Sequence, residues 1–195
     1  MKLIIDNGHG KETPGKRSPV FPFGQLMEWE WSRQVAGIIK NKAEKFGIET
    51  ILLTPENSDV ILSERARRAN KILAADSETI GISIHANAST NGKAHGWEIW
   101  SDSREDESDV LGTFIFEAAQ KMLPFTFRKN NPNDFVKDKD FTILYLTKGV
   151  FVLSENGFMD NEQDCKFMLS ETGKALIAEA HILGILNYIK IAYGR

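Results

Sequence analysis

The chain has 195 residues, one cysteine (Cys165), and 24 basic against 27 acidic side chains, for a net charge of −3. Its 42% hydrophobic and 26% charged composition excludes a disordered or fibrous chain, and its length fits one domain with its own core. A single cysteine excludes an intramolecular disulfide and a cysteine-rich metal site, and net acidity argues against a nucleic-acid partner.

Residues 3–5 read as a first strand, too short and too close to Met1 for a signal peptide. A Gly/Pro-rich loop covers 7–24. A helix fits 25–46 and stops at Gly47, because glycine takes the left-handed cap conformation without penalty. Residues 48–53 read as a strand closed by Thr54-Pro55. A helix over 62–75 carries Arg65, Arg67 and Arg68 on what reads as a solvated face. Strands are expected over 80–84 and 96–100, and a helix over 109–122. The polar stretch 124–140 reads as a surface loop of the kind that borders a cleft. A buried strand over 150–153 and a long helix over 171–192 complete the chain. No run reaches the ~20 apolar residues of a membrane helix, so no membrane segment is expected. Strand–helix alternation predicts a layered α/β fold with a mostly parallel sheet, in a single domain spanning 1–195.

Some polar residues stand where burial is expensive. In the helix over 25–46 the apolar positions Trp31, Val35, Ile38, Ile39 and Phe46 recur by threes and fours. Three residues before Trp31 lies Glu28, on the face that meets the sheet; Glu30 falls with Gln34 and Asn41 on the solvated side. A buried carboxylate needs a cation or a metal. The strand over 80–84 runs into His85, the strand over 150–153 into Ser154-Glu155, and the first strand into Asp6-Asn7-Gly8-His9-Gly10. Ligands of parallel α/β sheets bind beyond the carboxyl ends of the strands. If these strands are neighbours, two imidazoles and two carboxylates converge at one sheet edge.

Two histidines and a carboxylate with an open fourth position suit catalytic zinc. The remaining carboxylate could then serve as general base toward water acidified by the metal. Gly8 and Gly10 would let the backbone turn tightly around His9. Each residue also has a plainer reading. A histidine at a strand end is commonly a hydrogen-bonded surface group, Glu28 could pair with Arg65 or Arg33, and Glu155 could cap a helix beginning near Asp160. No short zinc signature is present, so the residues alone leave both readings open.

The segments Ile4-Ile5-Asp6-Asn7-Gly8-His9-Gly10, Glu28, Leu62-Ser63-Glu64-Arg65-Ala66-Arg67-Arg68-Ala69-Asn70, Ser83-Ile84-His85-Ala86-Asn87-Ala88 with Gly96, and Ser154-Glu155-Asn156-Gly157-Phe158-Met159-Asp160-Asn161 carry a resemblance. In order and spacing the chain resembles the zinc-dependent N-acetylmuramoyl-L-alanine amidases, the catalytic domains of bacterial cell-separation amidases and phage endolysins. The resemblance implies a three-layer α/β/α sandwich around about six strands. It implies Zn2+ held by His9, Glu28 and His85, with Glu155 catalytic. It implies hydrolysis of the amide between N-acetylmuramic acid and L-alanine in peptidoglycan. Asn7 and Lys11 depart from the family's usual proline and glycine, at positions that should not ligate metal. Gly15-Lys16-Arg17-Ser18-Pro19 is similar to the phage and Bacteroidetes-type members. No autoinhibitory helix is expected within 124–140.

The alternative functions are a zinc peptidase cutting within the stem peptide and a non-catalytic peptidoglycan-binding module. The expected partner is peptidoglycan or its muropeptides, and the expected state a monomer. Without a signal peptide, synthesis in the cytoplasm and release in the manner of a phage endolysin is expected, or export by a non-classical route. His95 is expected to line the cleft or cap a strand, His181 to pack in the core, Cys165 to be inert, and Asp6 to orient a ligand imidazole. Trp29, Trp97 and Trp100 could stack on sugar or peptide, but tryptophans near a strand are more often core or rim residues.

Overall fold

The computed structural model describes residues 1–194; Arg195, the last residue of the expected domain, lies outside the described residues. Six strands form one sheet: β1 (Lys2–Asp6), β2 (Glu49–Leu52), β3 (Ile80–Asn87), β4 (Glu98–Ser101), β5 (Lys137–Asp138) and β6 (Phe151–Phe158). Their order is β2-β1-β3-β6-β4-β5. The first four in that order are parallel, β4 runs antiparallel to β6, and β5 is parallel to β4.

One face is covered by α1 (Glu28–Lys45), α3 (Glu107–Met122), α5 (Glu162–Leu169) and α6 (Glu171–Tyr193). Leu3, Ile5, Ile82, Ile84 and Val152 point into this larger core, with Trp31, Val35, Ile39, Ile115 and Ile185 from the helices. The other face carries α2 (Leu62–Leu73) and the short α4 (Thr142–Leu146), packed on Ile4, Phe151 and Leu153. Alternate residues of each strand thus serve two cores, the expected pattern for parallel strands buried on both sides. The fold is the expected three-layer α/β/α sandwich.

The structure corrects several boundaries. β3 and β6 continue past their apolar runs to Asn87 and Phe158, so His85 and Glu155 lie within strands rather than after them. β5 and α4 lie in and after the stretch read as plain loop. Phe46 ends outside the apolar face, 61% exposed. By length and composition α6 is apolar enough to cross a membrane, against expectation; half of that window is buried, where α6 meets α1, α3 and α5.

Arg65 is the clearest correction. It is 1% exposed, not on a solvated face. Its Nη2 donates to Asp59 Oδ1 (2.7 Å), its Nε to the Val60 carbonyl (2.6 Å), and Nη1 stands 3.6 Å from Asp6 Oδ1. Asp6 is completely buried. Removing one partner of a buried ion pair strands the other, so Arg65→Met is expected to cost about 3 kcal/mol of stability. Urea unfolding measures this, and a cost below about 1 kcal/mol would mean that Asp6 is satisfied without the arginine.

Candidate active site

β1, β3 and β6 stand side by side and deliver the site from their carboxyl ends, where the chain leaves β1 toward β2 on one side and β3 lies on the other. Beyond Asp6 the backbone turns at Gly8, with φ +72°. A Cβ on Gly8 would also come within 3.3 Å of His85 Cε1. At Gly10 a Cβ would stand 2.1 Å from the Asp59 amide nitrogen. Gly8 therefore makes the expected turn, whereas Gly10 lets the backbone pass close to Asp59. Arg33 holds this turn: Nη1 donates to the carbonyls of Asn7 (3.3 Å), His9 (2.8 Å) and Trp29 (3.1 Å), and Nη2 to those of Thr54 and Glu56. Asn7 ties the ends of β1 and β2 together, donating to the Thr54 carbonyl and accepting from the Thr54 hydroxyl, both at 2.9 Å. Its side chain thus has a structural use at the position where the family usually has proline.

Glu28 opens α1 and is 1% exposed, whereas Glu30 is exposed. The helix N-terminus favours a negative charge there. Glu28 Oε1 stands 3.0 Å from His85 Nδ1 and accepts from the Ala86 amide (3.1 Å). Oε2 stands 3.5 Å from His9 Nε2 and 3.8 Å from Lys16 Nζ. The plainer expectation of an arginine partner for Glu28 is not met. His9, Glu28 and His85 each offer one ligand atom, and these atoms lie within 4.8 Å of one another. His9 Nε2 and Glu28 Oε2 are enclosed without a hydrogen-bond partner. Two imidazole nitrogens and a carboxylate, with His9 Nε2 and Glu28 Oε2 unspent, fit a metal site of catalytic type.

His85 is oriented from behind. Ser83 Oγ donates to Asp6 Oδ2 (2.7 Å), so its oxygen is left to accept from His85 Nε2 (3.1 Å). Asp6 therefore acts on the ring through Ser83, with Nδ1 directed to the cluster. Burial opposes the Glu28 charge, but the His85 bond and the nearby His9 imidazole outweigh it and hold Glu28 well below the usual carboxylate range. Burial lowers His9 beneath the ordinary imidazole value, while in His85 the bond to Glu28 overcomes burial and raises it.

Glu155 lies beside His85 in register across β3 and β6. Its Oε2 is enclosed with no hydrogen-bond partner. It shares a cavity of about 200 Å³ with His9, His85, Lys16, Leu62, Phe141 and neighbouring apolar side chains. Burial pushes its carboxyl up to about 8, with the Glu28 and Glu98 charges adding and His85 and Lys16 opposing. A dication at the cluster would draw that value back down. Glu155 does not cap the following helix: Asn161 does, accepting from the Gln163 and Asp164 amides.

The raised Glu155 value sets a pH dependence. The folded chain holds this proton more tightly than the unfolded chain, whose carboxyl titrates near 4.5. The resulting stability is present below about 4.5 and is lost as pH rises toward 8. In metal-free protein, Glu155→Gln should therefore flatten the loss of stability across that window. Urea midpoints at both ends of the window compare the two chains, and equal slopes would contradict the burial of this carboxyl.

The remaining expected residues separate from the site. His181 is fully buried, with Nδ1 against the Ile177 carbonyl (2.7 Å) and Nε2 against Ser154 Oγ (2.8 Å), a core histidine. His95 is exposed and lines a recess with Phe125, Asp164 and Phe167, not the cluster. Trp97 is a core residue whose Nε1 donates to Asn156 Oδ1 (2.8 Å). Cys165 is buried, and burial pushes its thiol up. Arg33 and Lys16 are the residues near the site whose roles the sequence did not disclose. The sequence offered Arg33 only as a partner for Glu28; its guanidinium lies instead 5.2 Å from the Trp29 ring centroid and on the carbonyls of the His9 turn.

The family model described as N-acetylmuramoyl-L-alanine amidase matches residues 3–187. An endolysin of Bacillus phage SPP1 is 28% identical over 198 residues, covering 97% of this chain and 67% of that protein. The amidase CwlM of Bacillus licheniformis is 26% identical over 195 residues, covering 98% and 70%. The crystal structure of N-acetylmuramoyl-L-alanine amidase from Clostridium difficile 630 shares the fold, with a TM-score of 0.84 at 24% identity over 97% of this chain and 96% of that one. The matched span holds His9, Glu28, His85 and Glu155, and the chain belongs to the N-acetylmuramoyl-L-alanine amidase family, enzymes that hydrolyse the amide linking N-acetylmuramic acid to L-alanine in peptidoglycan.

Proposed function

We propose that this chain acts as a single catalytic domain on peptidoglycan, with zinc held by His9, Glu28 and His85 and with Glu155 as the proton-transferring residue. The observation that carries this is the pairing of three convergent ligand atoms with an unpartnered carboxylate on the same cavity. Zinc, when bound, supplies Lewis acidity, polarising an amide carbonyl and acidifying water. Glu155 takes a proton from the attacking water and delivers it to the alanine nitrogen as the C–N bond breaks. Ser83 and Asp6 fix the His85 ring, and Arg33 fixes the His9 turn. Leu62, Phe141, Ile143 and Leu153 wall the cavity and limit water around the reacting amide.

The relatives named as endolysin and amidase support action on the cell wall as the chain's setting; release in the manner of an endolysin and action as a monomer are part of the same proposal. A defined muropeptide digested with purified protein, then with chelator, then with zinc restored, tests the reading by mass spectrometry. The expected products are a lactyl-bearing sugar and a peptide beginning with L-alanine, lost and regained with the metal. A cut elsewhere in the stem would make the chain a peptidase on the same site.

A further inference from the structure

The row of side chains that ends the sheet extends one strand beyond Glu155. β4 and β6 pair Glu98 directly with Glu155, so both side chains leave the same face of the sheet. Glu98 is 3% exposed. Its Oε1 accepts from Asn87 Nδ2 (2.6 Å), and its Oε2 accepts from both Arg128 Nε (3.0 Å) and Lys137 Nζ (2.9 Å). Two cations on one carboxylate leave a surplus positive charge. Arg128 spends only Nε on Glu98; its guanidinium lies 5.1 Å from the Phe158 ring centroid, its terminal nitrogens hydrogen-bond to nothing among the described residues, and the side chain is 42% exposed. A guanidinium with its planar fork unspent is the side chain best shaped to take a carboxylate.

This cluster adjoins the catalytic cavity. Lys137 Nζ stands 4.1 Å over the Trp100 ring, and Trp100 meets Phe141 edge-on with centroids 5.4 Å apart. Phe141 in turn lines the cavity that holds Glu155. Trp100, two residues beyond Glu98 on the same face of β4, has its Nε1 enclosed without an acceptor, another unspent donor. Adjacent strands lie ~4.8 Å apart and successive peptide residues ~3.8 Å apart. The stem residue that follows the L-alanine can therefore reach the next strand while the scissile amide sits at Glu155.

We propose that Arg128, backed by Lys137 on the Glu98 carboxylate, is a carboxylate-binding subsite for the second residue of the stem peptide. It favours stems whose α-carboxylate at that residue is free over stems in which it is a carboxamide. The proposal rests on the amidase reading of Glu155. It also gives the polar stretch 124–140 a use, since that stretch supplies both cations.

Two synthetic muropeptides that differ only in a free acid or a carboxamide at the second stem residue test it on the zinc-loaded enzyme. The expected result is a preference for the free acid of about tenfold in kcat/KM, carried by KM. Arg128→Gln and, separately, Lys137→Gln should each shrink that preference to about twofold or less. No preference in the parent, or a loss of both substrates by the same factor in both variants, would overturn the subsite and leave the cations as mere neutralisers of Glu98. If the parent cleaves neither substrate, the amidase reading is what fails. Calorimetric titration of the two L-alanine-led peptides then decides the subsite alone: tighter binding of the free acid supports it, and equal affinity overturns it.

Discussion

Glu155→Gln is expected to lower amide turnover by about two to four orders of magnitude while leaving bound metal unchanged. The side chain is not among the three convergent ligand groups, so the amide has no reason to disturb the metal. It does lack a basic oxygen, and no other unpaired carboxylate lines the cavity. Folding should not suffer, since the carboxylate it replaces has no donor and burial disfavours its charge. Turnover by chromatography of the released peptide, with metal content by elemental analysis on the same sample, checks both halves. Turnover within about tenfold of the parent would remove Glu155 from proton transfer.

His85→Ala and His9→Ala should both lose stoichiometric zinc and fall to background turnover, yet differ in what they cost the metal-free fold. His85 is 8% exposed and gives Glu28 Oε1 its closest partner at 3.0 Å. Its removal leaves a buried carboxylate held mainly by the Ala86 amide, at an expected cost of about 3–5 kcal/mol. His9 Nε2 makes no hydrogen bond, and its loss should cost about 1 kcal/mol. Urea unfolding after chelation separates the two variants. Equal costs would contradict the view that Glu28 and His85 form a built pair before metal arrives.

The parts of the fold legible in the sequence are those that follow from local periodicity. Apolar runs marked β1, β2, β3 and β6, and the spacing from Trp31 chose Glu28 over Glu30 as the buried carboxylate. The far ends of β3 and β6 were not legible as strand, because His85, Asn87, Ser154, Glu155 and Asn156 are polar. They bond to groups distant in sequence: His85 to Glu28, Asn87 to Glu98, Ser154 to His181, and Asn156 to Trp97 and the His85 carbonyl. Arg65 was misjudged for the same reason. A helix pattern shows where a side chain points, not that Asp6 and Asp59 wait there. The cluster of His9, Glu28 and His85 draws on residues far apart in sequence, brought together by the adjacency of β1 and β3 and by the start of α1. Glu98 escaped notice because its cations come from a stretch with little regular structure, and pairing between β4 and β6 puts it beside Glu155.

The most direct test of the central claim is crystallography of the zinc-loaded protein with anomalous data on both sides of the zinc absorption edge. The expected result is one strong zinc peak bonded to His9, Glu28 and His85, with Glu155 facing the metal's open side and not bonded to it. A zinc peak elsewhere, or one in which Glu155 ligates the metal in place of Glu28, would contradict the assignment of roles.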